Sequence, residues 1–318
     1  MYTARPLPAL VHDLRRGFAA RPRTVPSKWF YDEAGSALFD AICELPEYYL
    51  TRAERAILER HADDIVASAA PDELLEIGSG MARKTGVLLG AITRRTGHAR
   101  YVPLDISAAA LEGSARSIRA VVPGVAVDPL IGDFERDLPK LALSPLSRRR
   151  MWALLGSTIG NLDERAAPQL LASIAARMRP GDTFLVGMDL VKDVTVLQRA
   201  YDDAAGVTAR FNKNMLAVIN RGAQADFDLD AWTHRARYDA ARARIEMHLE
   251  SDRPQRVRLR ALGATVAFER GERILTEISR KFTHETAAST LRDGGMRLVS
   301  WFPAADDGFA LALAEAAR

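Results

Sequence analysis

Between residues 52 and 190 the sequence alternates short apolar segments with longer segments of helical periodicity, and no other feature limits the fold as strongly. The expected strands are Glu73–Ile77, Tyr101–Leu104, Val125–Ile131, Met151–Leu155 and Thr183–Met188. The expected helices cover about 52–69, 84–94, 107–121 and 166–178. Because strands separated by helix-length spacers pair in parallel, the alternation predicts a doubly wound α/β sheet.

After residue 190 the pattern changes to strict alternation of apolar and polar residues. Helical segments at about 193–204 and 209–220 precede the alternating runs RIEMHLES, RVRLRAL, ATVAFER and RILTEISRKF. Consecutive runs of period two with short turns predict an antiparallel meander. A helix at about 284–293 and the strands MRLVSWF and GFALALAEA then restore the α/β pattern.

These changes of pattern predict two domains, which a chain of 318 residues is long enough to form. We expect residues 53–191 and 282–318 to form a Rossmann-like α/β domain. Residues 1–52 and 192–281 are expected to form a second, α+β domain. The first domain is therefore predicted to be discontinuous in sequence.

The composition of the chain indicates the cellular compartment of the protein. Hydrophobic residues make up 48% of the chain, and no stretch of about eighteen apolar residues appears that could span a membrane. The segment MYTARPLPALVHDLRRGFAARPR lacks the apolar run and cleavage site of a secretory signal. The single cysteine, Cys43, excludes an internal disulfide. We therefore expect a cytoplasmic protein without a membrane partner.

The charged and metal-ligating residues give little support for a nucleic acid or a metal as a partner. The pI is about 9.1, but the net charge is only +3, and basic residues are mixed with acidic ones, as in RAERAILERHADD. A nucleic-acid surface needs basic residues gathered into a patch or stripe. The histidines are scattered without metal-ligand spacing. We expect neither a nucleic acid nor a metal ion.

The first strand of the α/β domain ends in a glycine loop, Gly78-Ser79-Gly80. Glycines at this position let the chain turn tightly and let a cofactor approach the backbone. The loop alone fits several classes of nucleotide-binding protein. However, Arg83 stands where a dinucleotide motif has its third glycine, and an acidic residue, Glu76, opens the motif. These details favour S-adenosylmethionine over NAD.

The next strand ends carry acidic residues that suit an adenosine-containing cofactor. Asp105 follows at roughly the 20-residue spacing of a residue that accepts hydrogen bonds from ribose hydroxyls. Asp133 and Phe134 end the third strand, where a carboxylate and a ring would bind adenine; the alternative is a solvated aspartate and a core phenylalanine. Lys84 is a candidate for binding the methionine carboxylate of the cofactor, although a surface lysine also fits.

The fourth strand leads into residues 156–161, which we call the acceptor loop. Ligands bind beyond the carboxyl ends of parallel strands, so this loop is predicted to face the transferable methyl group. The amide of Asn161 offers donors and an acceptor to an amino-acid head group, or else it stabilises the loop itself.

Longer motifs resemble the histidine-specific methyltransferase family of ergothioneine biosynthesis. They are SKWFYDEAGSALFDAICELPEYYLTRAE, LLEIGSGMARKT, LLGSTIGNL, MDLVKD, RAYDDAAGVTARFNKNMLAVINR, ADFDLDAW, RIEMHL and ILTEISRKF, from about residue 23 to 283. The resemblance implies a class I methyltransferase sheet that binds S-adenosylmethionine, and a second domain that binds the substrate. It also implies a monomer that trimethylates the α-amino group of free L-histidine and so produces hercynine.

The resemblance also assigns individual residues. Those that match cofactor contacts are Gly78, Lys84, Asp105, Asp133 and Phe134. Those that match substrate contacts are Tyr31, Tyr48, Gly156, Asn161, Tyr201, Met247, Glu277 and Ser279. Tyr31 near the amino nitrogen and Asn161 at the head group are the candidate catalytic residues. Arg280 has no role that the resemblance explains.

Glu277 and Ser279 bear most directly on the choice of acceptor. They are two residues apart on a predicted strand and so project to the same face. A carboxylate beside a hydroxyl can bind an imidazole N–H, and it would be left unpaired against an apolar side chain. Periodicity alone favours a solvent-exposed face, and it is the resemblance that reverses this preference in favour of the imidazole.

Two other functions remain open at this point. One is a methyltransferase of the same fold with another acceptor, such as tryptophan or an arginine-rich RNA-binding target. The other is a non-catalytic binding protein, which the presence of every matching acceptor residue disfavours. Added methyl masses on amino acids incubated with the protein and S-adenosylmethionine would distinguish them.

Overall fold

The structure is a computed structural model that describes residues 7–80, 82, 84–138, 149–306 and 308–317. Arg83 of the cofactor motif lies outside the described residues. The chain forms two compact units. Unit 1 comprises Met1–Tyr49 and Lys192–Ser279, and unit 2 comprises Leu50–Val191 and Arg280–Arg318. The functions expected of the two domains stay predictions.

Helices occur in both units. The α-helices of the described residues are α1 (Leu7–Ala19), α2 (Glu33–Cys43), α3 (Leu50–Ala69), α4 (Thr85–Thr96), α5 (Ala108–Val121), α6 (Phe134–Asp137), α7 (Ala166–Ala175), α8 (Val194–Tyr201), α9 (Val207–Ala223) and α10 (His284–Asp293). Short 3-10 helices cover Ser27–Phe30, Thr158–Asn161, Leu229–Ala231 and Arg260–Leu262. Of the helices described here, none has both the length and the apolar character that crossing a membrane requires.

The strands form one large sheet in unit 2 and smaller sheets in unit 1. They are β1 (Arg23–Thr24), β2 (Glu73–Ile77), β3 (Arg100–Asp105), β4 (Ala126–Val127), β5 (Leu130–Ile131), β6 (Arg150–Leu154), β7 (Thr183–Asp189), β8 (Trp232–Asp239), β9 (Arg244–Ser251), β10 (Gln255–Leu259), β11 (Ala264–Phe268), β12 (Arg273–Arg280), β13 (Met296–Pro303) and β14 (Phe309–Ala316).

Unit 2 is built on an eight-stranded sheet with the order β13-β14-β7-β6-β2-β3-β4, in which β5 also pairs with β3. Strands β7, β6, β2, β3, β4 and β5 pair with one another in parallel. Strand β14 is antiparallel to both β7 and β13. The predicted doubly wound α/β sheet is confirmed. The strand order reverses between β2 and β6, which is where open α/β sheets bind ligands, beyond the carboxyl ends of the strands.

The sheet of unit 2 is buried on both faces at its centre, since every residue of β2 and β6 is buried. Helices α7 and α10 contact each other and β13, and they contribute Leu171 and Leu291 to a core that also contains Trp152 and Phe184. Helix α3 contacts α4 and β14. This burial explains why the strands read as continuous apolar runs in the sequence.

The third predicted strand, Val125–Ile131, is wrong as a single element, because it is divided into β4 and β5. Pro129 lies between the two short strands. Proline has no backbone N–H to donate to a neighbouring strand, so the ladder with β3 is interrupted there. Pairing resumes at Leu130, which is opposite Leu104.

The single antiparallel meander predicted for unit 1 is also wrong. The structure has a four-stranded sheet in the order β1-β12-β9-β8 and a separate hairpin of β10 and β11. The backbone N–H of Ser251 donates to the carbonyl of Glu272 at 2.9 Å, and the Ser251 carbonyl accepts from Gly271 at 2.7 Å. Since the start of β12 therefore occupies the place beside the end of β9, β10 and β11 pair with each other.

Candidate active site

The glycine loop after β2 has the backbone conformation that its sequence predicts. Gly78 and Gly80 have φ angles of +67° and +50°, a region that disfavours residues with a Cβ. The N–H of Gly78 donates to the Leu104 carbonyl at 2.8 Å, which holds the loop against the end of β3. A Cβ on Gly80 would meet no atom of the described residues within 4 Å. The loop therefore presents open backbone, as a cofactor cradle requires.

Asp105 is held in a fixed orientation at the end of β3. Its Oδ2 accepts a hydrogen bond from the N–H of Gly80 at 3.0 Å, and its Oδ1 accepts from the N–H of Ser107 at 2.9 Å. These two bonds fix the plane of the carboxylate, whose oxygens are acceptors only when it is ionised. This geometry fits a residue that binds the two hydroxyls of a ribose.

Phe134 lies against the same glycine loop. A Cβ on Gly78 would be 3.6 Å from a carbon of the Phe134 ring. Asp133 precedes it, and the Asp133 backbone N–H donates to the carboxylate of Asp137 at 3.0 Å, within the turn that begins α6. The structure thus brings Gly78, Asp105 and Phe134 together at adjacent strand ends of unit 2.

Glu76, which opens the motif, lies inside the unit. Its Oε2 accepts hydrogen bonds from the hydroxyls of Tyr101 at 2.5 Å and Thr85 at 2.7 Å. Burial raises the pKa of Glu76 to about 7, although both hydrogen bonds oppose the rise. The residue therefore ties β2 to β3 and α4.

Replacing Glu76 with glutamine should alter how stability depends on pH. Because the pKa of Glu76 is raised from 4.5 to about 7, its folded form holds a proton that the unfolded chain releases, so its contribution is complete below pH 4.5 and is lost as the pH rises through 7. Glutamine does not titrate. Relative to the wild type, the variant should gain about 3 kcal/mol in unfolding free energy between about pH 4.5 and 8. Urea unfolding across this range measures the difference, and a constant difference would contradict the raised pKa.

Lys84 precedes α4 and forms an ion pair with Glu54, a residue of α3 that the sequence analysis missed. The Glu54 side chain is 0% exposed and that of Lys84 is 16% exposed. The N–H of Gly156 also donates to Glu54, at 2.8 Å to Oε1 and 2.9 Å to Oε2. A signal was present in the sequence, because Glu54 is three and four residues before Ile57 and Leu58 on the apolar face of the helix.

The acceptor loop is fixed by its neighbours in unit 2. Gly156 and Ser157 both have left-handed backbones, with φ angles of +74° and +56°. Ser157 is buried, and its Oγ accepts a hydrogen bond from the N–H of Asp189 at 3.0 Å. A Cβ on Gly160 would lie 3.0 Å from the carbonyl oxygen of Arg280. Asn161 ends the 3-10 helix that follows, so its backbone is set by this packed loop.

The segment beside the loop contains Arg280, for which the sequence offered no role. Its Nε lies 3.8 Å from Oε1 of Glu164, and its guanidinium lies 5.1 Å from the centroid of the Phe282 ring. The next residue, Lys281, forms a fully buried ion pair with Asp189 at 2.7 Å. Arg280 thus has contacts that anchor the chain next to Gly160.

Four of the residues predicted to bind substrate form a cluster in unit 1. The hydroxyls of Tyr201 and Ser279 are 2.7 Å apart, and the ring centroid of Tyr48 is 6.2 Å from that of Tyr201. All three side chains are buried. Burial raises the pKa of the Tyr48 hydroxyl well above its usual value, and the neighbouring Tyr201 and Glu277 raise it further. Tyr48 is therefore a neutral hydroxyl beside a carboxylate.

Tyr31 is connected to this cluster through aromatic rings. Its ring centroid lies 5.6 Å from that of Phe39 and 5.7 Å from that of Phe211, in edge-to-face arrangements. Phe39 in turn is 6.2 Å from Tyr48. Such pairs stabilise defined ring orientations. Phe39 and Phe211 are residues that the sequence analysis did not single out.

Tyr201 is also supported from its backbone. Nε2 of His234 lies 2.9 Å from the Tyr201 carbonyl, and Nδ1 of His234 lies 2.8 Å from the amide nitrogen of Asn212. Since a carbonyl can only accept, the histidine proton is on Nε2 and Nδ1 accepts from Asn212. Burial lowers the pKa of His234, which favours this neutral form. Asn212 and His234 were not identified from the sequence.

Met247 occupies a buried position on β9, and its carbonyl accepts a hydrogen bond from the Thr276 hydroxyl at 3.0 Å. This bond connects β9 to β12, the strand that carries Glu277 and Ser279. The predicted role of the Met247 side chain in lining a pocket stays a prediction.

The predicted residues divide between the two units. Every predicted cofactor residue lies in unit 2, and so do Gly156 and Asn161, which the resemblance assigns to the substrate. The remaining predicted substrate residues lie in unit 1; they are Tyr31, Tyr48, Tyr201, Met247, Glu277 and Ser279. In the ranges that the structure describes, no group of three His, Cys, Asp or Glu side chains could hold a metal ion.

A sheet with this strand order, parallel except for the antiparallel β14, together with a glycine loop after β2 and carboxylates after the next strands, is typical of class I methyltransferases that use S-adenosylmethionine. The sequence profile of the family described as "Histidine-specific methyltransferase, SAM-dependent" matches residues 10–316. The chain belongs to this family.

Individual relatives agree with the family. The chain is similar to the histidine N-alpha-methyltransferase of Mycobacterium tuberculosis, with 46% identity over 306 residues, which cover 96% of this chain and 94% of that protein. It is also similar to ergothioneine biosynthesis protein 1 of Schizosaccharomyces pombe, with 34% identity over 225 residues, covering 68% and 29% of the two chains. A third relative, the L-tryptophan methyltransferase of Psilocybe serbica, is 29% identical over 300 residues, covering 86% and 83%.

Proposed function

We propose that this protein transfers three methyl groups from S-adenosylmethionine to the α-amino nitrogen of free L-histidine. The product would be hercynine, formed in the first step of ergothioneine biosynthesis. The observation that carries the proposal is the cluster of Tyr48, Tyr201, Glu277 and Ser279, which offers a carboxylate and hydroxyls among aromatic rings. The family and the mycobacterial relative support histidine as acceptor, and the name of the yeast relative supports the pathway.

The cluster suits an imidazole because it contains both kinds of hydrogen-bonding partner. A neutral imidazole has one N–H donor and one nitrogen acceptor. The carboxylate of Glu277 can accept from the N–H, and a hydroxyl such as that of Ser279 can donate to the other nitrogen. An apolar side chain would leave these buried groups unpaired, which is the basis of strong discrimination in polar sites.

The cofactor is proposed to bind to unit 2. Asp105 would accept hydrogen bonds from the ribose hydroxyls, while Asp133 and Phe134 would bind the adenine. The open backbone at Gly78 fits a ligand that lies against the loop, and Lys84 is assigned to the methionine carboxylate. When bound, S-adenosylmethionine supplies an electrophilic methyl group.

Tyr31 and Asn161 are proposed to orient the amine. An α-amino group has a pKa near 8, so at neutral pH much of it is ammonium, which has no lone pair to attack a methyl group. A phenol oxygen and an amide oxygen can accept an N–H bond from the neutral amine. Neither is a strong base, so the proton would leave to water. Holding the lone pair in line with the methyl group then supplies most of the rate enhancement.

The aromatic rings around Tyr31 suit the product as well as the substrate. Each methyl transfer makes the nitrogen larger, and the third leaves it a permanent cation without an N–H. Aromatic faces attract such quaternary ammonium groups. The contacts of Tyr31 with Phe39 and Phe211 hold its ring in place for this purpose.

Tryptophan is the second candidate acceptor, and the similarity to an L-tryptophan methyltransferase favours it. An indole has one N–H donor and no ring nitrogen that accepts, so it could satisfy Glu277 but not a donating hydroxyl. The imidazole of histidine therefore matches the hydrogen-bonding groups of the cluster better than the indole of tryptophan does.

Mass spectrometry of amino acids incubated with the purified protein and S-adenosylmethionine tests the proposal. We expect histidine to gain the mass of up to three methyl groups and tryptophan to gain none. Methylation of tryptophan instead of histidine would support the second candidate. Binding of S-adenosylmethionine without methylation of any amino acid would exclude both.

We also propose that the protein acts in the cytoplasm as a monomer, without a nucleic-acid, membrane or metal partner. A single cysteine in the chain fits a reducing compartment. Light scattering during size-exclusion chromatography tests the oligomeric state, since a monomer should elute with the chain mass of 34.9 kDa.

A further inference from the structure

Glu54 is a carboxylate on the buried side of a helix. The buried residues of α3 follow the three- and four-residue spacing of one helix face, and all but Glu54 are apolar: Leu50, Glu54, Ile57, Leu58, Ala62, Ile65, Val66 and Ala69. The side chain of Glu54 is 0% exposed. An ionised carboxylate in such a position is unfavourable unless it is paired and hydrogen-bonded. Its partners therefore matter more than those of a surface glutamate.

Those partners come from the loops after two neighbouring strands. Lys84 follows the glycine loop of β2, and its ammonium pairs with Glu54. Gly156 begins the acceptor loop after β6, and its N–H donates to both carboxylate oxygens. Strands β2 and β6 are adjacent, and the strand order reverses between them. Glu54 thus connects the segment after the glycine loop with the acceptor loop.

A glycine on a third strand provides the space that the Glu54 carboxylate occupies. Gly187 lies on β7, and a Cβ there would collide with Oε1 of Glu54. Even a methyl group at this position would displace the carboxylate. Glu54 is therefore confined by the backbones of Gly156 and Gly187 and by the ammonium of Lys84.

Building on the proposed function, we propose that Glu54 is a positioning residue for methyl transfer, which fixes the Lys84 ammonium and the Gly156 backbone together. A lysine ammonium is a point charge on a flexible four-carbon stem, and it has three N–H donors. Glu54 takes one donor and thereby directs the others, which we assign to the methionine carboxylate of S-adenosylmethionine. The same carboxylate holds the first residue of the acceptor loop.

The variant Glu54→Gln tests this role, because it keeps the side-chain shape and an oxygen for Gly156 but removes the charge that holds Lys84. We expect the dissociation constant of S-adenosylmethionine, measured by calorimetry, to rise about 10-fold, and kcat with histidine to fall by a similar factor. A purely structural role would lower the melting temperature without changing the dissociation constant of the folded protein. An unchanged or lower dissociation constant would overturn the proposal.

Glu59→Gln is a matched control, because Glu59 lies on the same helix but is exposed and pairs with Arg55. Its dissociation constant and kcat should equal those of the wild type. A double-mutant comparison then tests whether Glu54 acts through Lys84. The double variant Glu54→Gln/Lys84→Met should bind S-adenosylmethionine no more weakly than Lys84→Met alone. Multiplied losses would overturn the proposed connection.

If Glu54→Gln does not fold, Glu54→Asp provides the test. It keeps the charge but withdraws the carboxylate by one methylene group, so we expect a folded protein that binds S-adenosylmethionine several-fold more weakly. Wild-type binding and kcat in this variant would contradict the positioning role.

Measurements of cofactor binding and histidine methylation by the wild-type protein distinguish a failure of this inference from a failure of the proposed function. If it binds S-adenosylmethionine but does not methylate histidine, the proposed function fails, while the dissociation constants of the variants still decide whether Glu54 supports donor binding. If it methylates histidine and Glu54→Gln does so equally well, only the role of Glu54 fails.

Discussion

Replacing Glu277 with alanine should lower kcat/KM for histidine by about 100-fold, while the dissociation constant of S-adenosylmethionine stays nearly unchanged. The variant removes from the cluster around Tyr48 the carboxylate that we propose accepts a hydrogen bond from the imidazole N–H. Hydrogen bonds to charged groups in buried sites are the stronger ones, which explains the size of the expected loss. Steady-state kinetics with varied histidine, together with calorimetry for the cofactor, measure the two quantities.

Glutamine at the same position provides the control for Glu277→Ala. Glu277→Gln keeps an oxygen that can accept from the imidazole, so its loss should be about 10-fold and smaller than that of alanine. Both variants should bind the cofactor as the wild type does, because every residue assigned to the cofactor lies in unit 2. An equal loss of histidine use and cofactor affinity would argue against a role in imidazole recognition.

Asp105→Ala should weaken binding of S-adenosylmethionine by about 10- to 100-fold. The substitution removes the acceptor assigned to the ribose hydroxyls, and it also leaves the N–H groups of Gly80 and Ser107 without the carboxylate that now accepts from them. Loss of the bond to Gly80 also removes one of the contacts that hold the glycine loop against the end of β3. Calorimetric titration with S-adenosylmethionine measures the effect, and the histidine KM at saturating cofactor should change little.

Asp128→Ala is the matched control for Asp105→Ala. Like Asp105, Asp128 directly follows a strand of the unit 2 sheet, in this case β4. Its side chain is exposed, however, and pairs with Arg100 at 2.6 Å. Its removal should leave cofactor affinity as in the wild type. If both aspartate variants weaken binding equally, the effect is one of general charge and the specific role of Asp105 is wrong.

Elements with a strong local pattern could be predicted from the sequence. Strand β2 has the predicted bounds Glu73–Ile77, because all five residues are buried and a glycine ends the run. Strand β1 has only two residues, too few to show a period, and β8 was missed because five of the eight residues of Trp232–Asp239 are polar or charged. The pairing of β10 with β11 depends on Gly271 and Glu272 occupying the edge of β9, which no local pattern records.

The residues of the site also divide into those that a local sequence pattern places and those that only long-range contacts place. Gly78 and Asp105 could be placed because they follow strands, and the ends of parallel strands share one edge of a sheet. Glu54 could not be placed in this way, since it contacts residues 30 and 102 positions further along the chain. Likewise, His234 acts on the backbone of Tyr201, a contact between residues 33 positions apart. Such partners become visible only when the fold brings them together.

The chain leaves unit 2 at Val191 and returns to it at Arg280. These two points are neighbours, because the N–H of Val191 donates to the carbonyl of Phe282 at 2.9 Å and Leu190 forms a parallel bridge with the same residue. A segment whose ends lie side by side costs little loop-closure entropy to insert, exchange or replace with a short linker. Residues 192–279 are therefore an insertion whose two ends meet at one place in unit 2, and they complete unit 1 together with residues 1–49, since β1 pairs with β12.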